Sequence, residues 1–207
     1  KVLNIKNPIP QALLLRSFWI TIDKLKSLAN KDPYYHGIGC IRVRVETGEL
    51  YSFYSKEHTA PISNYIHTHQ RDLYCESLYG SYKNTTYDYT ITNEYTDYCM
   101  EKIACKTGTK PELMFPNILI TEKCVSILEK DMSHSHSGFH RVDLIDDIVI
   151  TKVTMGGIRL PTAKIIRNKN EPYVCGLSSR GTPENNWGII EGILNEANLH
   201  AETFSVL

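Results

Sequence analysis

An excess of charge of either sign is missing from this chain: 23 basic side chains face 23 acidic ones across 207 residues. A balanced chain has no net field with which to hold a nucleic-acid backbone or an anionic membrane, so neither is expected as a partner. A long hydrophobic run is missing too. The longest, near residues 12–22, is interrupted by Arg16 and is shorter than the roughly 20 residues that cross a bilayer. It also lacks the small-residue cleavage site of a leader, and no targeting motif is found at the C-terminal end. The six cysteines, Cys40, Cys75, Cys99, Cys105, Cys124 and Cys175, include no C-x-x-C pair. Scattered thiols in a chain of this size read as reduced, partly buried groups of a cytoplasmic protein, with disulfides the lesser alternative. Nucleophile-elbow, P-loop and dinucleotide-binding signatures are all absent. So are internal repeats, low-complexity tracts and the strand–helix alternation of a doubly wound sheet.

What is present is a hydrophobic fraction of 42%, enough for one domain with a real core. Thirteen tyrosines, several alternating with polar residues, suit half-buried strands. A helical segment is expected over 9–30, in one piece or two, with Thr21 as the cap of the second piece and Asp32-Pro33 as its end. Residues 40–46 alternate strictly: Ile41, Val43 and Val45 share one face and Arg42, Arg44 and Glu46 the other. Thr47-Gly48 reads as a turn and 50–55 as the returning strand. Pro61 opens the segment leading to His67. Strands are expected over 72–79, stopped by Gly80, and within 81–92. Residues 93–116, with Gly108, Pro111 and Pro116, read as an irregular insertion. Strands resume at 118–121, 125–128, 140–143 and 148–153, and Gly156-Gly157 reads as a break. Late strands are placed near 165–166 and 173–175. Thr182-Pro183-Glu184 starts a helix, with Trp187, Ile190, Ile193 and Leu194 at helical spacing. The expectation is a single mainly β domain, a jelly-roll barrel of about 37–178 between a helical N-terminal segment and a C-terminal helix of about 183–198.

Five of the eight histidines fall in two places: His67 and His69, then His134, His136 and His140. On a strand, residues two apart point to one face, so His67-Thr68-His69 aims two imidazoles into one space. A third imidazole from another strand completes a half-shell for a divalent ion and leaves positions open. His140 opens a strand and is preferred as that third ligand. His134 and His136 lie in a Ser/Gly stretch read as a loop. They are a lid, alternative ligands, a second metal site or acid–base groups over the first. The bland reading of the pair at His67 and His69 is two polar residues on a wet edge strand. Asp72 and Glu76 are either nearby general bases or exposed charges.

The segment from His67-Thr68-His69 to Gly80 resembles the first motif of the cupin superfamily, and the stretch 129–142, a polar turn, a loop and then a lone His140 opening a strand, resembles the second. The resemblance covers roughly residues 37–155 and is nearest to the three-histidine thiol dioxygenases of the cysteine and cysteamine dioxygenase type. Leu78-Tyr79-Gly80 matches their strand-ending turn and His140-Arg141-Val142 their third-ligand strand. Leu73 stands where most cupins carry a glutamate ligand. The resemblance implies a double-stranded β-helix fold and Fe(II) held by His67, His69 and His140, with Zn, Mn or Ni as alternatives. It implies a dioxygenase acting on a small anionic or thiol-bearing substrate. Arg42 and Arg44 lie about where cysteine dioxygenase places its carboxylate-binding arginine, and a guanidinium fork suits a carboxylate; otherwise they are a solvated face with Glu46. The chain departs from that family where its Ser-His-Tyr relay belongs, since residues 150–154 read Ile-Thr-Lys-Val-Thr. The cross-linking cysteine has no clear counterpart, although Cys75 is near. A non-oxidative metal cupin (isomerase or hydrolase) and a non-catalytic ligand- or protein-binding module are the alternatives. A homodimer is expected from exposed sheet edges.

Overall fold

The computed structural model describes residues 20–36, 39–59, 65–103, 111–171 and 181–204. Helix α1 (Ile22–Leu28) begins at Thr21, whose hydroxyl accepts from the Lys24 amide at 3.2 Å, with Asp23 in the first turn. The expected part of that segment before residue 20, and the late strand at 173–175, lie outside the described residues. Twelve strands follow among the described residues: β1 (Tyr34–His36), β2 (Cys40–Arg44), β3 (Leu50–Ser55), β4 (Ile66–His67), β5 (Arg71–Tyr79), β6 (Tyr82–Ile91), β7 (Tyr98–Ile103), β8 (Glu112–Leu128), β9 (Ser133–His136), β10 (Phe139–Leu144), β11 (Ile148–Ile158) and β12 (Ala163–Asn168). Helix α2 (Pro183–Phe204) ends the described chain. No helix among the described residues is long and apolar enough to cross a membrane.

The strands form two units. One sheet has the order β1-β2-β3-β11-β5-β9, and β10-β4-β12-β7-β8-β6 closes into a barrel. Four antiparallel pairs are nested in sequence: β3 with β11, β4 with β10, β5 with β9 and β6 with β8. Such nesting is what results when one long antiparallel ribbon is rolled up, with alternate strands falling into opposite sheets. Strands β7 and β12 lie outside the nest and complete the second unit's closure, β7 against β8 and β12 against β4.

Period-two alternation sorts the side chains into layers. On the open sheet, Ile41, Val43, Val45, Phe53, Ile148 and Ile150 form the outer face and pack under Leu25 of α1 and Ile190, Ile193 and Leu194 of α2. Their neighbours Cys40, Tyr54 and Val149 face the other way and meet Tyr82, Leu128, Val142 and Leu144 of the barrel. Inside the barrel, Ile66, Tyr87, Met100, Ile118, Phe139 and Ile166 supply one buried side chain from each of its six strands. Burial of each such side chain stabilises by about 1.5–3 kcal/mol. The residues next to Ile66 and Phe139 therefore point out of the barrel's interior, and they are His67 and His140.

Four expectations are corrected. Residues 93–116 are not an irregular insertion: β7 and the start of β8 occupy most of its described part. Pro116 is tolerated because the β7–β8 register shifts there, between Tyr98↔Ile118 and Met100↔Phe115, and a bulge needs no ladder donor. The two short strands expected at 118–121 and 125–128 are one strand. His134 and His136 lie on β9, not in a loop. Gly156-Gly157 does not break β11, which continues to Ile158 through a register shift after Met155; a Cβ on Gly156 would meet Asp72 and Tyr74 at 3.2 Å.

Candidate metal centre

Strand β4 places His67, the turn after it places His69, and β10 places His140. His67 is directly opposite His140 in the β4–β10 pairing, so their side chains share one face. The rings of His67 and His140 are 4.5 Å apart, those of His67 and His69 4.9 Å, and those of His69 and His140 5.1 Å. The Nε2 atoms of His69 and His140 are 3.0 Å apart. One ligand atom from each of the three lies within 4.8 Å of the others, close enough for all three to bind a single metal ion.

The ring nitrogens that do not face the centre are held. Nδ1 of His67 is 3.0 Å from the Tyr65 carbonyl oxygen, and Nδ1 of His140 is 2.9 Å from the Asn84 side-chain oxygen. A carbonyl can only accept, so each Nδ1 carries the proton and each Nε2 presents a lone pair. Nε2 of His67 is buried and has no hydrogen-bond partner. An orphaned imidazole lone pair beside two others is the donor set of a first-row metal, and these residues fit one.

Electrostatics favour the neutral, ligating form. Burial pulls His67 down to about 4, partly offset by the Tyr65 carbonyl, with Arg42 pushing the same way as burial. Burial, followed by repulsion from neighbouring imidazoles and from Arg42, holds His69 and His140 well below the ordinary histidine range. His134 drops to about 4 through burial, and His136 lies lower still.

Arg42 belongs to this space. It is 9% exposed, its Nε has no hydrogen-bond partner, and its charge acts on His67, His69, His136 and His140. Among the described residues no carboxylate forms an ion pair with it. Arg44, one step further along the same face, is half-buried near the strand's end and has no such effect on the histidines. Leu73 is buried on β5 opposite His136, so the position expected to lack a carboxylate faces the cluster without one. Asp72 and Glu76 are turned away and paired, with Arg159 at 3.4 Å and Lys152 at 2.7 Å; they are surface ion pairs rather than bases of the site. His134 and His136 join the group from β9: the His136 ring is 3.9 Å from that of His140 and 4.0 Å from that of His134.

Several participants escaped sequence reasoning. Asn84 and Tyr82 come from β6, and Tyr82 Oη is 3.3 Å from His134 Nδ1. His36 on β1 is close enough for the His67 imidazole and Arg42 to depress it, after burial. The one available signal was alternation: Tyr82 and Asn84 are two apart on a strand. On β11 the inward positions carry Thr151 and Val153, since their neighbours Ile150 and Ile148 pack under the helices.

No protein-family model matches the chain, and no curated protein matches it.

Proposed function

We propose that the protein is a mononuclear metal enzyme of the cupin type, an Fe(II) dioxygenase that acts on a small substrate carrying an anionic group or a thiol. The observation that carries this reading is the convergence of three neutral imidazoles, with no carboxylate, between the two strand units. The nested pairing of β3–β11, β4–β10, β5–β9 and β6–β8 supports the jelly roll, because a double-stranded β-helix is a rolled ribbon of this kind. The free thiols of Cys40, Cys75, Cys99 and Cys124 suit a reducing compartment such as the cytoplasm.

Fe(II) held by His67, His69 and His140 supplies open coordination positions and the one-electron chemistry that dioxygen requires. The chain's own residues do the rest. Tyr65 and Asn84 fix the imidazoles by their Nδ1 protons. The Arg42 guanidinium, permanently charged and without a carboxylate, attracts and orients a substrate anion. Burial of the cluster keeps bulk water from competing with these contacts. Tyr54 and Tyr82, inward-facing and raised by burial, stay protonated as hydrogen-bond donors.

A non-oxidative reading, with Zn, Mn or Ni as Lewis acid for isomerisation or hydrolysis, is favoured by one observation: the inward positions of β11 are Thr151 and Val153, where the thiol dioxygenases carry their relay. Metal analysis of protein purified without chelator separates the readings. Iron, with oxygen uptake on addition of a small thiol or thiol acid, is the expected result. Zinc without oxygen uptake favours the non-oxidative enzyme. If no metal is bound and His67→Ala changes nothing, both fail and a ligand-binding module remains.

A further inference from the structure

Beyond the three-histidine group, the same space holds a second converging set. Cys75, His134 and His136 each place one ligand atom within 4.8 Å of the others. Register explains the convergence. Cys75 is directly opposite His134 and Leu73 opposite His136 in the β5–β9 pairing, so alternation sends all three ligating side chains to one face. Strand β9 has no aliphatic residue at its inward positions, only these two imidazoles, although a strand in this place ordinarily buries apolar side chains.

We propose that Cys75, His134 and His136 form a second metal site, separate from the three-histidine centre, that takes a thiophilic ion, zinc(II) first among them. One thiolate and two imidazoles are a donor set for zinc, with a fourth position left for water or substrate. The three-histidine group has no sulfur and is the harder site. The proposal stands on its own ligands and does not need the dioxygenase reading.

The geometry is close to that of a bound site. Nε2 of His134 and Nε2 of His136 are 2.6 Å apart, against about 3.3 Å for two nitrogens on a tetrahedral zinc. No hydrogen bond on the buried Nδ1 of His136 opposes the small ring shift that opens the gap. The Tyr82 hydroxyl oxygen, 3.3 Å from His134 Nδ1, can accept a hydrogen bond from a protonated Nδ1, which leaves Nε2 with its lone pair for the metal. Cys75 is a neutral thiol without a cation, since burial raises it to about 12 against the opposing pull of Arg42. Zinc binding therefore exchanges one proton: the thiolate sulfur bonds to the ion, and the thiol proton leaves to solvent. No electron transfer is involved. The rings of His136 and His140 are 3.9 Å apart, so the two sites are adjacent.

Titration of the metal-free full-length chain with cobalt(II), then zinc(II), tests the site. The expected result is a sulfur-to-cobalt charge-transfer band in the near ultraviolet that zinc abolishes. The band should vanish in Cys75→Ser and in His134→Gln, with one fewer equivalent of zinc bound, and should persist in His67→Ala. Absence of the band in the wild type overturns the site. So does a band that survives Cys75→Ser, because another cysteine is then the ligand. If far-ultraviolet circular dichroism shows Cys75→Ser unfolded, His134→Gln decides, and an undiminished band there overturns the proposal. An intact band with full metal stoichiometry in His67→Ala supports this site while removing the three-histidine centre, so the two readings fail separately.

Discussion

The bond from His140 Nδ1 to the Asn84 side-chain oxygen decides which nitrogen is left for a metal. Asn84 is buried, so Asn84→Leu keeps the volume and removes the acceptor. Without it the His140 ring loses its fixed orientation, and metal affinity should fall about 10–100-fold. Competition with a chelator of known affinity measures this, and unchanged affinity would show that Asn84 holds nothing. Arg42 makes the opposite kind of prediction. A buried guanidinium with no carboxylate partner costs stability, and replacing such a charge by a well-packed apolar side chain is often neutral or stabilising. Arg42→Met should bind metal as the wild type does and unfold at the same or higher denaturant concentration. It should also lose the ability to protect the protein with small anions in a thermal-shift assay. A lower unfolding midpoint would show that Arg42 is structural rather than a retained binding group. At this scale the histidines were legible because two spacings, 67/69 and 134/136/140, stand out in a linear reading. Asn84 and Tyr82 were not, because their partners lie 56 and 52 residues away and nothing local marks them. The two arginines illustrate the same limit: alternation placed both on one face, but only the packing of the barrel against that face separated Arg42 from Arg44.

Strands and turns were readable where their chemistry is local. Residues 40–46 and 50–55 were legible as a hairpin because aliphatic and polar residues alternate before a turn glycine. Strand β9 was missed because its inward residues are histidines, so a search for apolar alternation finds only polar side chains. Strand β8 was broken in the reading because Pro116 and a polar stretch interrupt it, whereas the bulge opposite β7 absorbs the proline. Gly48 and Gly80 both have positive φ, at +86° and +70°, yet they should respond differently to substitution. A Cβ on Gly48 meets nothing within 4 Å, while one on Gly80 would lie 2.0 Å from the Ile148 carbonyl oxygen. That oxygen belongs to the backbone of β11 and cannot rotate away. Gly48→Ala should cost about 1 kcal/mol, the left-handed conformation alone. Gly80→Ala should cost at least about 3 kcal/mol, because strain and overlap add. Urea unfolding of the two variants side by side checks the difference, and equal costs would place the turn at Gly80 elsewhere than against Ile148.

For the whole molecule, the nested strand pairing was not accessible in the sequence, because no local pattern says that β5 pairs with β9 across the intervening β6–β8 hairpin. That closure is what gathers imidazoles from β4, β9 and β10 into one dry space, and the gathering has a consequence for stability. Burial holds His67 and His134 near 4 and keeps His69, His136 and His140 below their ordinary range as well. In the unfolded chain each returns to about 6.5. Between about 4 and 6.5 the unfolded state therefore binds more protons than the folded one, and stability must rise with pH through that window. The metal-free protein should have its full stability above about pH 7 and lose it as the pH falls. The slope approaches about 1.4 kcal/mol per pH unit for each histidine that the unfolded chain protonates while the folded chain keeps it neutral. A metal bound to the neutral imidazoles adds RT ln(1 + [M]/Kd) to the folded state and competes with the same protons. Because the folded imidazoles take up protons only at about pH 4 or below, its contribution should be nearly constant between about pH 5 and 8 and shrink as the pH falls to about 4 and lower. Denaturant unfolding between pH 4 and 8, with and without chelator, follows both effects. Two curves offset and parallel above about pH 5, converging as the pH falls to about 4, are the expected result, and curves that coincide throughout would mean that these histidines hold no metal.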